Sequence, residues 1–159
     1  MTKPFTDHPQ VIAPDARFLD EPQDPELFRL YHLWRSKRGL RLMPSKADID
    51  PAEFKSLLPD IFIIQADALY TVRLVGERIV EVVGHSTKGH PAGMFMSPKG
   101  RDAMKRLMDL VVERRTPIFR SGPAYWLEGK GHQRFEACFL PLSRDDKTVD
   151  AILAAVKFG

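Results

Sequence analysis

The spacing of apolar residues changes along this chain, and that change constrains the fold more than any other feature of the sequence. Before Pro59 the apolar residues recur with the period of a helix, whereas residues 61–74 carry the continuous and alternating patterns of strands. A second clear helical pattern covers 98–116, and three strand patterns follow it. Strands on both sides of a helical segment predict an α+β domain.

Two helix starts that contain proline lie in the first third of the chain. Asp24-Pro25-Glu26 supplies an N-cap oxygen, a proline at the first turn and an acid near the positive end of the helix dipole. The apolar residues that follow have helical spacing. This apolar stripe consists of Leu27, Leu30, Tyr31 and Trp34. A second, shorter helix is predicted from Asp50, and the two helices form an N-terminal helical extension over 24–58.

Five strands are predicted in the rest of the chain, two before the long helix and three after it. They cover 61–64, 70–74, 118–127, 133–142 and 149–158. Their order predicts a five-stranded, mostly antiparallel sheet with helices on one face. Residues 59–159 are therefore the predicted core. Residues 1–23, which contain four prolines and no apolar period, are predicted to form an irregular arm.

Length and composition exclude several classes of protein. A chain of 159 residues is long enough to bury a core without disulfides or structural zinc, and its one cysteine has no partner in the sequence. The 24 basic and 21 acidic residues leave a small net charge, and no apolar run approaches the ~20 residues of a membrane span. We therefore expect a cytoplasmic protein with no membrane segment and with Cys138 packed as a small apolar residue.

Short blocks of sequence occur in a characteristic order along residues 27–157. They are 33–39 (LWRSKRG) with 42–51 (LMPSKADIDP), 57–62 (LLPDIF), 73–76 (RLVG), 84–89 (GHSTKG) and 140–143 (LPLS). These blocks, together with the order of helices and strands, resemble a single-domain PAS-like family widespread in alphaproteobacteria. The resemblance implies a bacterial protein with the PAS fold, whose sheet and short helices enclose a small cavity, and a role in sensing and protein interaction. It supplies no catalytic residues.

The resemblance also bears on cofactors. PAS domains that hold haem commonly ligate it from a histidine on the long helix, and 98–116 contains none. Light-sensing flavin PAS domains carry an Asn-Cys-Arg-Phe-type motif in the small-helix region, and this sequence has no cysteine before Cys138. A covalent flavin adduct is therefore not expected, while non-covalent flavin stays open and the cofactor is unknown. His85 and His90 are too far apart in sequence for a helical metal pair, so no metal site is predicted.

A small apolar or aromatic ligand, if the domain binds one, is expected between the sheet and the long helix. Four of the six methionines lie on or just before that helix, and methionine side chains adapt to irregular cavities. The candidate pocket wall consists of Tyr70, Val72, Leu74, Met94, Met104, Leu107, Met108, Val111, Phe135 and Phe139. Ordinary core packing explains the same residues without a ligand.

The apolar stripe of the first helix lies outside the predicted core and is the candidate surface for a protein contact. Leu27, Leu30, Tyr31 and Trp34 would bind a second copy, forming a homodimer, or a signalling partner. Because the residues outside the PAS-like region are too few for a kinase, cyclase or DNA-binding module, a signal is expected to leave through such a contact. The sequence thus predicts a stand-alone sensory or adaptor domain without catalysis.

Two other functions stay open from the sequence. A small-molecule enzyme would need an ionisable group inside the pocket, and the alternation of strand 133–142 instead directs Glu136 away from it. A nucleic-acid-binding protein would use the basic segment 35–46, which contains five cations and no acid. The cations of this segment also fit an ordinary solvated face at the C-terminal end of a helix, which makes nucleic acid the less favoured partner.

Overall fold

The structure, a computed structural model, describes residues 17–127, 129–130 and 132–159. Within them the chain forms six strands, three α-helices and two 3₁₀ segments, at Lys46–Asp48 and Pro51–Asp60. The strands are β1 Arg17–Leu19, β2 Ile61–Gln65, β3 Val72–Val75, β4 Ile118–Pro123, β5 Arg134–Leu142 and β6 Ala151–Phe158. The α-helices are α1 Pro25–Arg38, α2 Glu77–Val83 and α3 Pro98–Arg114. None of these described helices has the length and apolar character needed to cross a membrane.

All six strands belong to one antiparallel sheet in the order β1-β4-β5-β6-β2-β3. The predicted α+β class and PAS-like sheet are confirmed, with one strand more than predicted. The additional strand, β1, comes from the predicted irregular arm and pairs with β4, where Phe18 lies opposite Arg120. A strand of three residues is too short to show a period, so the sequence gives no signal for it. Residues 1–16 of the arm lie outside the described residues.

Helices cover both faces of the sheet and not one face as predicted, because α1 of the predicted N-terminal extension packs on the second face. Alternation along β5 places Phe135, Ala137 and Phe139 on the face beside α3. Glu136 and Cys138 lie on the other face, beside α1. The Cys138 side chain is completely buried, and burial raises the pKa of its thiol to about 12, so it stays protonated at neutral pH. Cys138 is therefore packed as a small apolar residue, as predicted.

The apolar stripe of α1 packs into this second face and is not an exposed docking surface. Leu27, Leu30 and Trp34 are 0%, 1% and 2% exposed. The indole N–H of Trp34 donates a hydrogen bond to the Pro141 carbonyl oxygen at 2.8 Å, and the half-buried Tyr31 ring stacks on the Trp34 ring. Three of the four residues of the predicted interface, Leu27, Leu30 and Trp34, are therefore not available to a partner in this structure, because the sheet has a second apolar face and α1 covers it.

Polar contacts fix the start of α1 on the sheet. The Asp24 carboxylate accepts hydrogen bonds from the backbone N–H groups of Glu26 and Leu27 at 2.9 and 3.1 Å, as the predicted helix cap requires. The Glu136 carboxylate accepts hydrogen bonds from the backbone N–H groups of Gln23 and Asp24 at 2.7 and 3.1 Å. Glu136 thus anchors α1 to β5 and points away from the α3 side of the sheet, as the alternation predicts.

A buried carboxylate connects the second 3₁₀ segment, α2 and β6. Asp60 is completely buried and accepts two hydrogen bonds from Nη1 of Arg78, at 2.9 and 2.8 Å. The Lys157 Nζ lies 3.7 Å from an Asp60 oxygen and 2.9 Å from an oxygen of Glu26 in α1. Burial raises the pKa of Asp60, and the charges of Lys157 and Arg78 oppose that rise. These ion pairs therefore connect α1, α2 and β6. Removal of one charged group would leave its partner without a counter-charge.

Candidate ligand-binding site

A cleft of about 900 Å³ lies between the first half of α3, the turn after β4 and the α3-facing side of the sheet. This volume is within the range of small-molecule sites in proteins, about 300–1,000 Å³. The floor of the cleft is formed by four neighbouring strands, β4, β5, β6 and β2. At its centre Ala137 lies directly opposite Arg120 on one side and Val156 on the other, so the three side chains share one face. The other floor residues are Phe62, Ile64, Phe135 and Phe139.

The opposite wall is formed by the N-terminal half of α3 and the turn after β4. The Ser97 hydroxyl caps α3 by accepting the Gly100 N–H at 3.1 Å, and the Ser97 N–H donates to the Trp126 carbonyl oxygen at 3.0 Å. A Cβ at Gly100 would lie 2.7 Å from that same carbonyl oxygen, so glycine allows the helix and the turn to touch. Ala103 and Met104 extend the wall along α3.

One buried arginine side chain belongs to the wall of this largely apolar cleft. Arg120 is 6% exposed, and its Nε and Nη2 have no hydrogen-bond partner among the described residues. Its Cζ lies 5.8 Å from the centroid of the Phe18 ring and 6.0 Å from that of Phe135. Burial lowers the pKa of Arg120 to about 10, so the group is still protonated at neutral pH. The cleft therefore contains a buried positive charge without an ion pair in the described part of the chain.

A second donor lies close to the same ring. Trp126 packs edge-on against Phe135, with ring centroids 5.4 Å apart. The Trp126 Nε1–H is buried and has no acceptor among the described residues. Buried donors in proteins almost always have a partner, because an unpaired one loses its hydration without compensation. Arg120 and Trp126 both flank Phe135, and together they form the polar end of the cleft.

Three of the predicted wall residues, Met104, Phe135 and Phe139, line the cleft. Five others are buried but do not line it: Tyr70, Val72, Leu107, Met108 and Val111. The three on α3 belong to its second half, which lies beyond the cleft. The Tyr70 hydroxyl donates a hydrogen bond to Asp109, and burial together with this contact raises the pKa of Tyr70.

Leu74 and Met94 do not line the cleft, and they are 41% and 38% exposed. The pairing of β2 with β3 places Val72 opposite Ile64 but Leu74 opposite Ile63, so the register shifts between these positions. Such an irregularity breaks the two-residue period and moves Leu74 to the other face from Val72. Met94 lies in the irregular segment between α2 and α3, where no period indicates a direction.

The sequence prediction does not include Arg120, Trp126 or Met96, all of which line the cleft. Arg120 has the same parity in β4 as the buried Ile118, so alternation carried a signal for its direction. What the sequence lacks is any indication of which face of the strand encloses a cavity. Trp126 lies in a turn beyond the end of β4 at Pro123, in a segment predicted as strand.

The remaining charged residues that line the cleft lie at its rim. Lys99, Asp102 and Arg106 are exposed, and Asp102 forms an ion pair with Arg106 one turn later in α3. No carboxylate among the described lining residues is buried. Within residues 17–127, 129–130 and 132–159 no three histidine, cysteine or acidic side chains are grouped as a metal site. The cleft thus combines apolar walls with one internal cation.

The basic segment 35–46 makes ion pairs within the chain. Lys37 pairs with Glu53 at 2.8 Å, and Arg41 pairs with Asp48 at 2.9 Å. The Arg41 contact and hydrogen bonds from Ser45 lower the pKa of Asp48. These pairings favour the solvated-face interpretation of the segment over a nucleic-acid interface.

Comparison with known proteins agrees with this geometry. The sequence matches a family model described as PAS domain over residues 23–157. The fold is similar to a sensory box sensor histidine kinase from Vibrio cholerae, with a TM-score of 0.51 and 19% identity over 68% of this chain and 87% of that one. No curated protein matches the sequence.

Two further solved structures are similar at lower scores. The light-state structure of the blue-light photoreceptor Aureochrome1 LOV has a TM-score of 0.42 and 9% identity, over 69% of this chain and 87% of that chain. A variant of Vivid has a TM-score of 0.43 and 10% identity, over 80% of this chain and 94% of that chain. The family match spans most of the sequence and includes every element from α1 to β5 and all but the last residue of β6. The chain therefore belongs to the PAS domain family.

Proposed function

We propose that this PAS domain is a sensory module that binds a small molecule in the cleft and reports its occupancy to a protein partner. The observation that carries the proposal is the cleft itself, about 900 Å³ with an apolar floor. Protein interiors contain few voids larger than a water molecule, so an apolar space of this size is lost packing unless something fills it. Reversible binding of an apolar or aromatic molecule is the function that such a space supports best.

Binding without catalysis is supported by the side chains that reach into the cleft. An enzyme acting by general acid–base catalysis needs a group whose pKa lies near the working pH. The pKa of Arg120, at about 10, leaves its guanidinium protonated at neutral pH, where it orients a ligand but does not accept a proton. The other charged residues that line the cleft, Lys99, Asp102 and Arg106, are exposed to water at its rim.

Occupancy would be communicated through the contact between α3 and the turn after β4. Ser97 and Gly100 at the start of α3 touch Trp126, and all three line the cleft. A ligand that changes the spacing of these walls would move the start of α3 relative to the turn. Signalling requires only that the ligand bind two such arrangements with different affinity.

A protein partner would contact the rim of the cleft. Tyr125 lines the cleft and is 52% exposed, so a partner bound over it would be sensitive to what lies beneath. The homodimer predicted from the sequence remains a proposal, with an interface away from the buried stripe of α1. Sedimentation velocity of the purified protein would measure its subunit number.

Native mass spectrometry of freshly purified protein tests ligand binding directly. We expect a retained small molecule, seen as mass in excess of the chain. Ala137→Phe places a ring at the centre of the floor and should abolish the retained mass while the protein stays folded, because the added atoms enter existing space. Ala137→Ser, which leaves the cleft open, is the matched control. Absence of retained mass, or retained mass that Ala137→Phe does not reduce, would contradict the proposal.

A further inference from the structure

The cleft has a chemically distinct end. Of the described ionisable residues that line it, Arg120 is buried, whereas the others are exposed at the rim. Arg120 extends from the middle of the sheet, where the side chains of its strand neighbours Phe18 and Ala137 contain no hydrogen-bond acceptor. A guanidinium in such a position loses its hydration and gains only weak contacts with ring faces. A folded protein retains a charge there at a cost in stability, and function is the usual reason for such a cost.

The unpaired atoms of this side chain form one recognition edge. Nε and Nη2 of Arg120 are the two nitrogens that have no partner among the described residues. The N–H groups of these two nitrogens are the side-on pair of donors that binds both oxygens of a carboxylate at once. The Trp126 ring, like the Arg120 guanidinium, contacts the Phe135 ring, and its unpaired Nε1–H offers a third donor.

The other residues that line the cleft indicate the chemistry of the rest of the ligand. Five aromatic side chains line the cleft together with aliphatic residues: Phe62, Tyr125, Trp126, Phe135 and Phe139. A single internal cation matches a single negative charge, and a doubly charged phosphate ester would need more donors than this end provides. A ligand with an apolar body and one carboxylate matches both the apolar walls and the N–H donors of the cleft.

We propose that the ligand of this cleft is an apolar monocarboxylate, an aryl or alkyl acid whose carboxylate binds the Nε and Nη2 edge of Arg120. This inference rests on the proposed function and names its ligand class. The Trp126 indole supplies the third N–H donor, and the aromatic floor contacts the apolar body. Arg120 then has a counter-charge only when the ligand is bound, and the bound ligand fills the cleft.

A matched pair of probes tests the inference, sodium 1-naphthaleneacetate and the neutral 2-(1-naphthyl)ethanol, measured by isothermal titration calorimetry on the full chain. The acid should bind wild-type protein at least about tenfold tighter than the alcohol. Arg120→Met should weaken acid binding by roughly 30-fold or more and leave the alcohol unchanged. Arg73→Met removes an exposed arginine outside the cleft and should leave both affinities unchanged.

Further readouts separate a role in binding from a role in folding. Without ligand, Arg120→Met should unfold at a temperature no lower than wild type, because it removes an unpaired buried charge. Lowering the pH through the carboxyl pKa of the probe should weaken binding of the acid and not of the alcohol. Equal affinity for acid and alcohol, or acid binding that Arg120→Met leaves intact, would overturn the inference while a retained ligand in native mass spectra still upheld the proposed function. Failure of the acid to bind wild-type protein would overturn the inference as well.

Discussion

Trp34→Ala should lower the free energy of unfolding by about 3–5 kcal/mol, the usual range for truncating a large buried aromatic residue. Trp34 is 2% exposed, and its truncation also leaves the buried Pro141 carbonyl oxygen without its donor. The melting temperature should fall by about 10 °C for a domain of this size. Chemical denaturation followed by circular dichroism measures the change.

Two controls isolate the cause of that loss. Trp34→Phe keeps a ring in the core and removes the N–H donor, so it should be destabilised less than Trp34→Ala. Arg29→Ala lies on the exposed side of the same helix and should change stability by less than about 0.5 kcal/mol. A small loss of stability in Trp34→Ala, accompanied by conversion of a dimer to a monomer, would restore the docking-surface interpretation of α1.

Arg78→Met should cost roughly 3 kcal/mol at neutral pH, because it leaves the completely buried Asp60 without its two shortest hydrogen bonds. Lys157, at 3.7 Å, compensates only in part. Lys105→Met is the matched control, since it removes the same charge from an exposed ion pair on α3 and should cost less than about 1 kcal/mol.

The loss in Arg78→Met should depend on pH in a defined direction. Burial already raises the pKa of Asp60 in the folded protein, and removal of Arg78 raises it further above the unfolded value of about 3.9. A folded state with the higher pKa binds the proton more tightly, so protonation stabilises it as the pH falls through that pKa. The deficit relative to wild type should therefore be full at neutral pH and shrink under acidic conditions. A deficit that is constant with pH would show that Asp60 is not its source.

The regular elements of this fold could be predicted because local chemistry determines them. The cap at Asp24 specifies where α1 begins, and the unbroken alternation of β5 places Phe135 and Phe139 on the cleft side. The short strand β1 could not be predicted, since three residues carry no period. The buried position of the α1 stripe depends on a second apolar face of the sheet, which a linear pattern does not reveal.

The residues of the candidate site could be predicted only in part from the sequence, for similar reasons. Leu74 does not line the cleft, because one register shift between β2 and β3 moves it to the other face of the strand. Met94 and Met96 lie two residues apart in an irregular segment, yet one is exposed and the other lines the cleft. Arg120 is recognised as a site residue only in three dimensions, where it lines an apolar cleft and its Nε and Nη2 have no partner within the described part of the chain.

The methyl groups of ¹³C-labelled methionines would show whether a ligand enters the cleft between α3 and the sheet. Met96 and Met104 line the cleft, whereas Met43 is buried outside it. Titration with the two naphthyl probes should shift the Met96 and Met104 methyl signals in NMR spectra along saturable curves and leave Met43 in place. If the Met96 and Met104 signals do not move at concentrations where calorimetry detects binding, the ligand does not bind in the cleft and the proposed site is wrong.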